Sequence, residues 1–169
     1  DSRSARWPLP KNFPSRKGSV MIDILVYLFA NYQDFSTRPK TRTLKRKLSA
    51  VGFQDEAISV ALRWLDGLRS ASEVDCPASH RALRVYLDQE QRKLGIDCLG
   101  FLAFLEVAEV ITPAVRELVV ERAMLMEDDP VPLAKFKIIV LIVLWSREQD
   151  LAPLVIEELL DDGGSRLTH

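Results

Sequence analysis

Residues 138–145, IIVLIVLW, are eight consecutive apolar side chains. Such a run offers no polar face however the backbone coils, so other elements must wrap it on every side. It falls far short of the roughly 20 residues that span a bilayer, and no membrane association is expected. The remaining solution is a buried central helix. The rest of the chain supplies the wrapping, because apolar residues recur at i, i+3, i+4 and i+7 in every segment long enough to test. The expectation is a mainly α protein with at most one or two short strands. At 169 residues, 47% hydrophobic and 28% charged, the chain has the balance of a soluble globular protein, with room for one domain or two small packed ones.

The periodicity begins at Met21. Residues 1–20 hold Arg3, Arg6, Lys11, Arg16 and Lys17 against Asp1, with Trp7, Leu9 and Phe13 scattered among prolines. They have no face to bury and read as a disordered extension or cloning remnant, with a polyanion-binding arm as the alternative. They lack the apolar core and cleavage site of a secretory signal, so a cytoplasmic location is expected.

Residues 21–70 read as a three-helix unit. Ile22, Leu25, Val26, Phe29 and Tyr32 line the first helix, and Leu44, Leu48 and Val51 the second, ended by Gly52. The third runs from about Asp55 to Leu68. Residues 71–80 read as a linker, and 81–169 as a C-terminal helical subdomain. Within it Leu83, Val85 and Leu87 alternate with Arg84 and Tyr86, as in a half-buried strand. Asp88 with Gln91 resembles a capping box, Gly95 and Gly100 suggest a break or a close helix contact, Thr112-Pro113 opens the next helix, and Asp150 can cap a last one. A strand after a three-helix unit would make the N-terminal part winged-helix-like. The apolar surfaces of 99–107 and 138–145 together suggest an oligomer.

Four blocks, MIDILVYLFANY, LSAVGFQDEAISVALRWLDGL, CLGFLAFLEVAEVITPAVRELVVERAM and FKIIVLIVLW, occur in that order. Together they resemble the bacterial protein Smg family over about residues 21–162. The resemblance implies no assigned reaction. It implies only a link to DNA processing, through a gene neighbourhood shared with the DprA protein. The chain departs from the family pattern at the basic stretch after the first helix, at Leu99 where an Arg is common and at Ile138 where a Trp is common.

The charge is unevenly distributed. Residues 1–70 carry a net +7 and residues 71–169 a net −8. Arg38, Lys40, Arg42, Lys45, Arg46 and Lys47 form a stretch without one acid, a candidate contact for a nucleic-acid backbone or an acidic partner. Glu157, Glu158, Asp161 and Asp162 crowd the end of the last helix, where the dipole disfavours them, and are the candidate contact for a basic partner. The turn at Gly52 gives the outline of a helix-turn-helix, but Asp55 and Glu56 open the would-be recognition helix and would face phosphates unfavourably.

Motifs for chemistry are sparse. The two histidines are His80 and His169, and Cys76 with His80 and Asp75 is too small a set for a metal. Cys98, in an apolar helix, reads as a small hydrophobe. Glu117 and Glu121 beside Arg116 and Arg122 read as surface ion pairs. There is no phosphate-cradling glycine loop and no nucleophile elbow. The chain therefore reads as a non-enzymatic interaction or adaptor protein with no cofactor, no metal and no catalytic residue, whose partner is a protein. Nucleic-acid binding through 38–47 is the alternative.

Overall fold

The computed structural model describes residues 20–32, 34–71 and 84–161, and these hold seven helices and no strand. In chain order they are α1 (Val20–Asn31), α2 (Thr41–Val51), α3 (Asp55–Ala71), α4 (Asp88–Val107), α5 (Pro113–Met124), α6 (Leu133–Ser146) and α7 (Pro153–Leu160). The protein is mainly α, as its periodicity demands. Residues 136–145 of α6 are all buried, which is the outcome an apolar run without a polar face requires.

The chain separates into two compact units. One comprises Asp1–Ser70 with Trp145–Gln149, the other Ala71–Leu144 with Asp150–His169. In the first, Ile24, Leu25 and Leu28 of α1, Leu44 and Leu48 of α2, and Ile58, Leu65 and Leu68 of α3 are buried. Trp145 packs edge-on against Phe29 and Phe35, with ring centroids 5.9 and 5.1 Å away. The end of α2 is fixed by Gly52 at φ 117°, where a side chain would be strained. Its N–H donates to Ser49 O (3.1 Å) while that of Phe53 donates to Leu48 O (3.2 Å), the paired bonds of a Schellman ending.

In the second unit Leu94, Cys98, Leu102 and Leu105 of α4, Val115, Leu118 and Val119 of α5, residues 136–144 of α6, and Ile156 and Leu159 of α7 are buried. Thr112 caps α5, its Oγ1 accepting from Val115 N at 3.3 Å, and Pro113 occupies the first helical position as its missing N–H allows. Lys93 Nζ donates to Met124 O (2.8 Å) and to Met126 O, closing the C-terminal end of α5.

Several expectations need correction. Residues 84–87 are not a strand: no neighbouring strand takes up their backbone groups, and the alternation faces the other way. Arg84 and Tyr86 are half-buried, whereas Val85 and Leu87 are exposed; Leu83 and the 72–80 part of the linker lie outside the described residues. Without a strand there is no wing among the described residues. The cap of α4 sits one residue earlier than expected. Leu87 is the N-cap, its N–H donating to Glu90 Oε2 at 2.8 Å, and Gln91 reaches back to Tyr86 O instead. Asp150 does not cap α7, whose N-cap is Ala152. Gly95 breaks α4 with φ 72° and ψ 170°, a region essentially reserved for glycine, while the helix runs through Gly100 undisturbed. Residues 138–145 are covered within the single chain and offer no surface to a partner.

Candidate functional site

Two surfaces and one ion network are the places where these residues could meet something else. The first surface is α2. Leu44 and Leu48 turn inward, which leaves Arg42, Lys45, Arg46 and Lys47 exposed together with Lys40 at the N-cap. The Lys47 ammonium lies 5.9 Å from the Tyr32 ring. No acid stands on α2, and two of its cations, Lys40 and Arg42, sit at the positive end of the helix dipole, an arrangement an anion would relieve. On α3 the exposed side chains include Asp55, Glu56 and Asp66.

Arg38 is set apart from the other five. Its guanidinium lies 3.9 Å over the Phe35 ring, Nη1 donates to Phe35 O at 3.0 Å, and Nη2 stands 3.7 Å from Asp66 Oδ1. Its side chain is 5% exposed, so it ties the loop after α1 to α3 rather than facing outward.

The acidic end of α7 is similarly divided. Glu157 is exposed, whereas Glu158 Oε1 accepts from Lys137 Nζ at 3.0 Å and so compensates a lysine buried in α6. Asp161 is half-buried, and Asp162 lies outside the described residues.

The ion network joins the segment before α4 to α4 and α5. Arg84 holds Glu117 through Nε–Oε1 (2.9 Å) and Nη2–Oε2 (3.2 Å), and Glu90 through both terminal nitrogens at 3.0 Å. Arg116 joins Glu117 Oε1 (3.0 Å) to Glu106 Oε2 (3.1 Å). The Arg84 hydrogen bonds hold the Glu90 carboxyl below the usual carboxylate range. At Glu117 burial pushes upward, but the bonds to Arg84 and Arg116 outweigh it and the shift is down. Burial raises the Tyr86 phenol beside the Arg84 guanidinium. Each of these charges has a protein partner, so the network reads as structural. Glu117 and Glu121 are ion-paired, Glu121 to Arg122 at 2.8 Å, but Arg116 and Arg122 are buried.

Cys98 is buried, its thiol donating to Val131 O at 3.4 Å, and burial next to Asp97 pushes its pKa up to about 11, the reverse of an activated nucleophile. Among the described residues no group of three His, Cys, Asp or Glu side chains is placed to hold a metal, and no helix is long and apolar enough to cross a membrane. Cys76, His80 and His169 lie outside the described residues.

The second surface falls within the apolar stretch 99–107 already singled out from the sequence, with Ile96 added to it. After the break at Gly95, α4 is apolar on two faces. Cys98, Leu102 and Leu105 point into the unit, and Ile96, Gly100, Ala103, Phe104 and Val107 point out. Ile96 is 87% exposed, Phe104 61% and Val107 85%. The offsets from Ile96, i+4, i+7, i+8 and i+11, draw one continuous outward line. The signal was present in CLGFLAFLEV, whose apolar residues exceed what one face can hold. Ile96 itself was missed because the break at Gly95 restarts the period.

The fold is thus all-helical among the described residues, with a basic and an apolar helix face and an internally satisfied ion network. The chain matches the family described as "Protein of unknown function (DUF494)" over residues 21–169. It is 47% identical over 152 residues to a Protein Smg homolog of Bordetella petrii, covering 88% of this chain and 100% of that protein. A Protein Smg homolog of Azoarcus sp. is 48% identical over 155 residues, with 88% and 100% covered, and one of Methylibium petroleiphilum 46% identical over 150 residues, with the same coverage. No solved structure matches. The chain belongs to the Smg family.

Proposed function

We propose that this protein is a non-enzymatic cytoplasmic interaction protein of adaptor type, and that the outward face of α4 docks a protein. The observation that carries this reading is the line of Ile96, Phe104 and Val107, each more than half exposed on one helix face. Contiguous exposed apolar surface of this kind costs solubility and marks contact sites. DNA processing is the process proposed for the partnership, on the gene neighbourhood attached to the family resemblance. A photo-crosslinking side chain placed at Phe104 in the producing cell tests the docking role. Adducts at this position that disappear with Val107→Glu support it, and the absence of any adduct overturns it.

Direct nucleic-acid binding is the second reading. It is favoured by Lys40, Arg42, Lys45, Arg46 and Lys47, all exposed on or beside a helix without acids. The exposed Asp55, Glu56 and Asp66 of α3 make backbone contact from α2 the form such binding would take in a helix-turn-helix-like unit, with no reading of bases. Fluorescence anisotropy with short DNA and RNA across a salt series tests it. Binding that falls steeply with salt and is lost in Lys45→Glu/Arg46→Glu/Lys47→Glu supports the reading, and no binding at low salt removes it.

A further inference from the structure

The outward line on α4, with Phe104 flanking it, reads the same in both directions. Ile96 and Val107, both β-branched, mark its ends, and Gly100 and Ala103, both small, mark its centre. Each pair is placed symmetrically about the point between Phe101 and Leu102. A two-fold axis level with that point, perpendicular to the helix and running across its outward face, lays a second α4 antiparallel on the first. Ile96 then stands opposite the second copy's Val107 and Gly100 opposite its Ala103. Each contact is made twice across a two-fold, and here each one sets apolar against apolar or small against small. From this we infer that the occupant of the α4 face is a second copy of this chain. The inference rests on the docking role proposed above.

The open centre of the line and its charges agree with it. A Cβ built at Gly100 has nothing within 4 Å, so the centre of the line is open and two helix axes can approach closely there. Phe104 flanks the line about 4 Å along the helix from the axis, so its symmetry mate stands on the same side, about 8 Å further along. No cation stands in the line. The two nearest carboxylates, Asp97 and Glu106, lie on opposite edges, so the two-fold does not bring them together, and Glu106 is held by Arg116 at 3.1 Å. The exposed apolar area is on the order of a few hundred Å² per copy, below the roughly 800 Å² per partner of a standard interface. The association is therefore a reversible, concentration-dependent dimer.

Sedimentation of the full chain from low micromolar to sub-millimolar concentration tests this. A monomer–dimer equilibrium is expected, and a chain that stays monomeric throughout overturns the second copy as occupant. In that event the crosslinking at Phe104 still decides separately whether the face docks another protein.

Four variants read the geometry. Ile96→Lys and Val107→Glu should each weaken the dimer about tenfold or more. The two changes combined in one chain should restore it, because the new charges then meet across the two-fold. Within one helix the two positions are about 16 Å apart, too far to pair. A double variant no better than the singles overturns the antiparallel arrangement. Gly100→Glu should raise the melting temperature of the dilute chain, since glycine is a poor helix former, while abolishing the dimer. Loss of the dimer with improved folding cannot come from misfolding, and a dimer that survives Gly100→Glu overturns the crossing at that residue.

Discussion

Arg84 and Glu117, 33 residues apart, meet as a two-bond fork, Nε–Oε1 at 2.9 Å and Nη2–Oε2 at 3.2 Å, while the same guanidinium grips Glu90 with its terminal nitrogens. One planar cation thus fastens the extended segment before α4 to both α4 and α5. Lysine cannot reproduce two forks at once. Arg84→Lys should lower the stability of the second unit by about 1–2 kcal/mol, read from denaturant unfolding. An unchanged midpoint would show the forks to be dispensable.

The same network sets an acid dependence. Glu90 and Glu117 are both held below their ordinary range, so they bind fewer protons folded than unfolded. Their contribution is fully present above the unfolded carboxylate value of about 4.3 and is lost as pH falls through the lower folded values. Unfolding followed from pH 6 downward should show the parent chain losing more stability below about pH 4.5 than Glu90→Gln/Glu117→Gln does. Parallel curves would refute the linkage.

Backbone conformation makes three positions respond differently. Gly95 sits at φ 72° and ψ 170° with open space around it, so Gly95→Ala should cost about 1–3 kcal/mol through the backbone alone. Gly100 is helical, and Gly100→Ala should stabilise by about 0.5–1 kcal/mol. Glu109, at φ 58°, occupies after α4 the position that Gly52 occupies after α2, with Val110 N bonded to Leu105 O at 2.9 Å. Glu109→Gly should therefore stabilise by about 1 kcal/mol. Thermal melts of the three variants in dilute solution would decide, and the same sign for Gly95→Ala and Gly100→Ala would contradict the break.

The cations of the 38–47 segment divide by role. Arg38→Ala should lower stability by about 1 kcal/mol, read from thermal unfolding, since the Phe35 stack and the bond to Phe35 O go with it. Lys45→Glu/Arg46→Glu/Lys47→Glu should leave the low-salt midpoint unchanged or raise it, because Arg42 and Arg46 stand one helical turn apart as like charges. A fall at low salt would instead mean that these cations are already neutralised by the chain's own acids.

What the sequence revealed followed from local rules. The period of three and four gave the helices, Thr112-Pro113 gave the start of α5, and Gly52 gave the end of α2, because each depends on a few neighbouring residues. The run at 138–145 announced its own burial. Long-range pairing stayed hidden. Nothing in the spacing of Arg84 and Glu117 says that they meet, and without that pairing Val85 and Leu87 looked like an inward face. The α4 surface was legible in part: CLGFLAFLEV is more apolar than one face can bury, but only the packing of Leu102 and Leu105 decides that Phe104 and Val107 are the side chains left outside. Arg38 could not be told from Lys40 by composition, since its role depends on Phe35 lying beneath it.

Lys137 and Glu158 offer an asymmetric test of burial. The lysine is buried in α6 with its ammonium 3.0 Å from Glu158 Oε1 and 5.4 Å from the Phe101 ring, whereas the glutamate side chain is 40% exposed. Removing the acid strands a buried charge away from water. Removing the lysine leaves an acid that water can still reach. Glu158→Ala should therefore cost about 2 kcal/mol, less than a fully buried pair because solvent screens this one in part, while Lys137→Met, close in volume and free of desolvation, should stay within about 1 kcal/mol of the parent or exceed it. Chemical denaturation of both variants at neutral pH measures the difference. Equal losses would mean that the pair acts as two surface charges and that Lys137 reaches solvent.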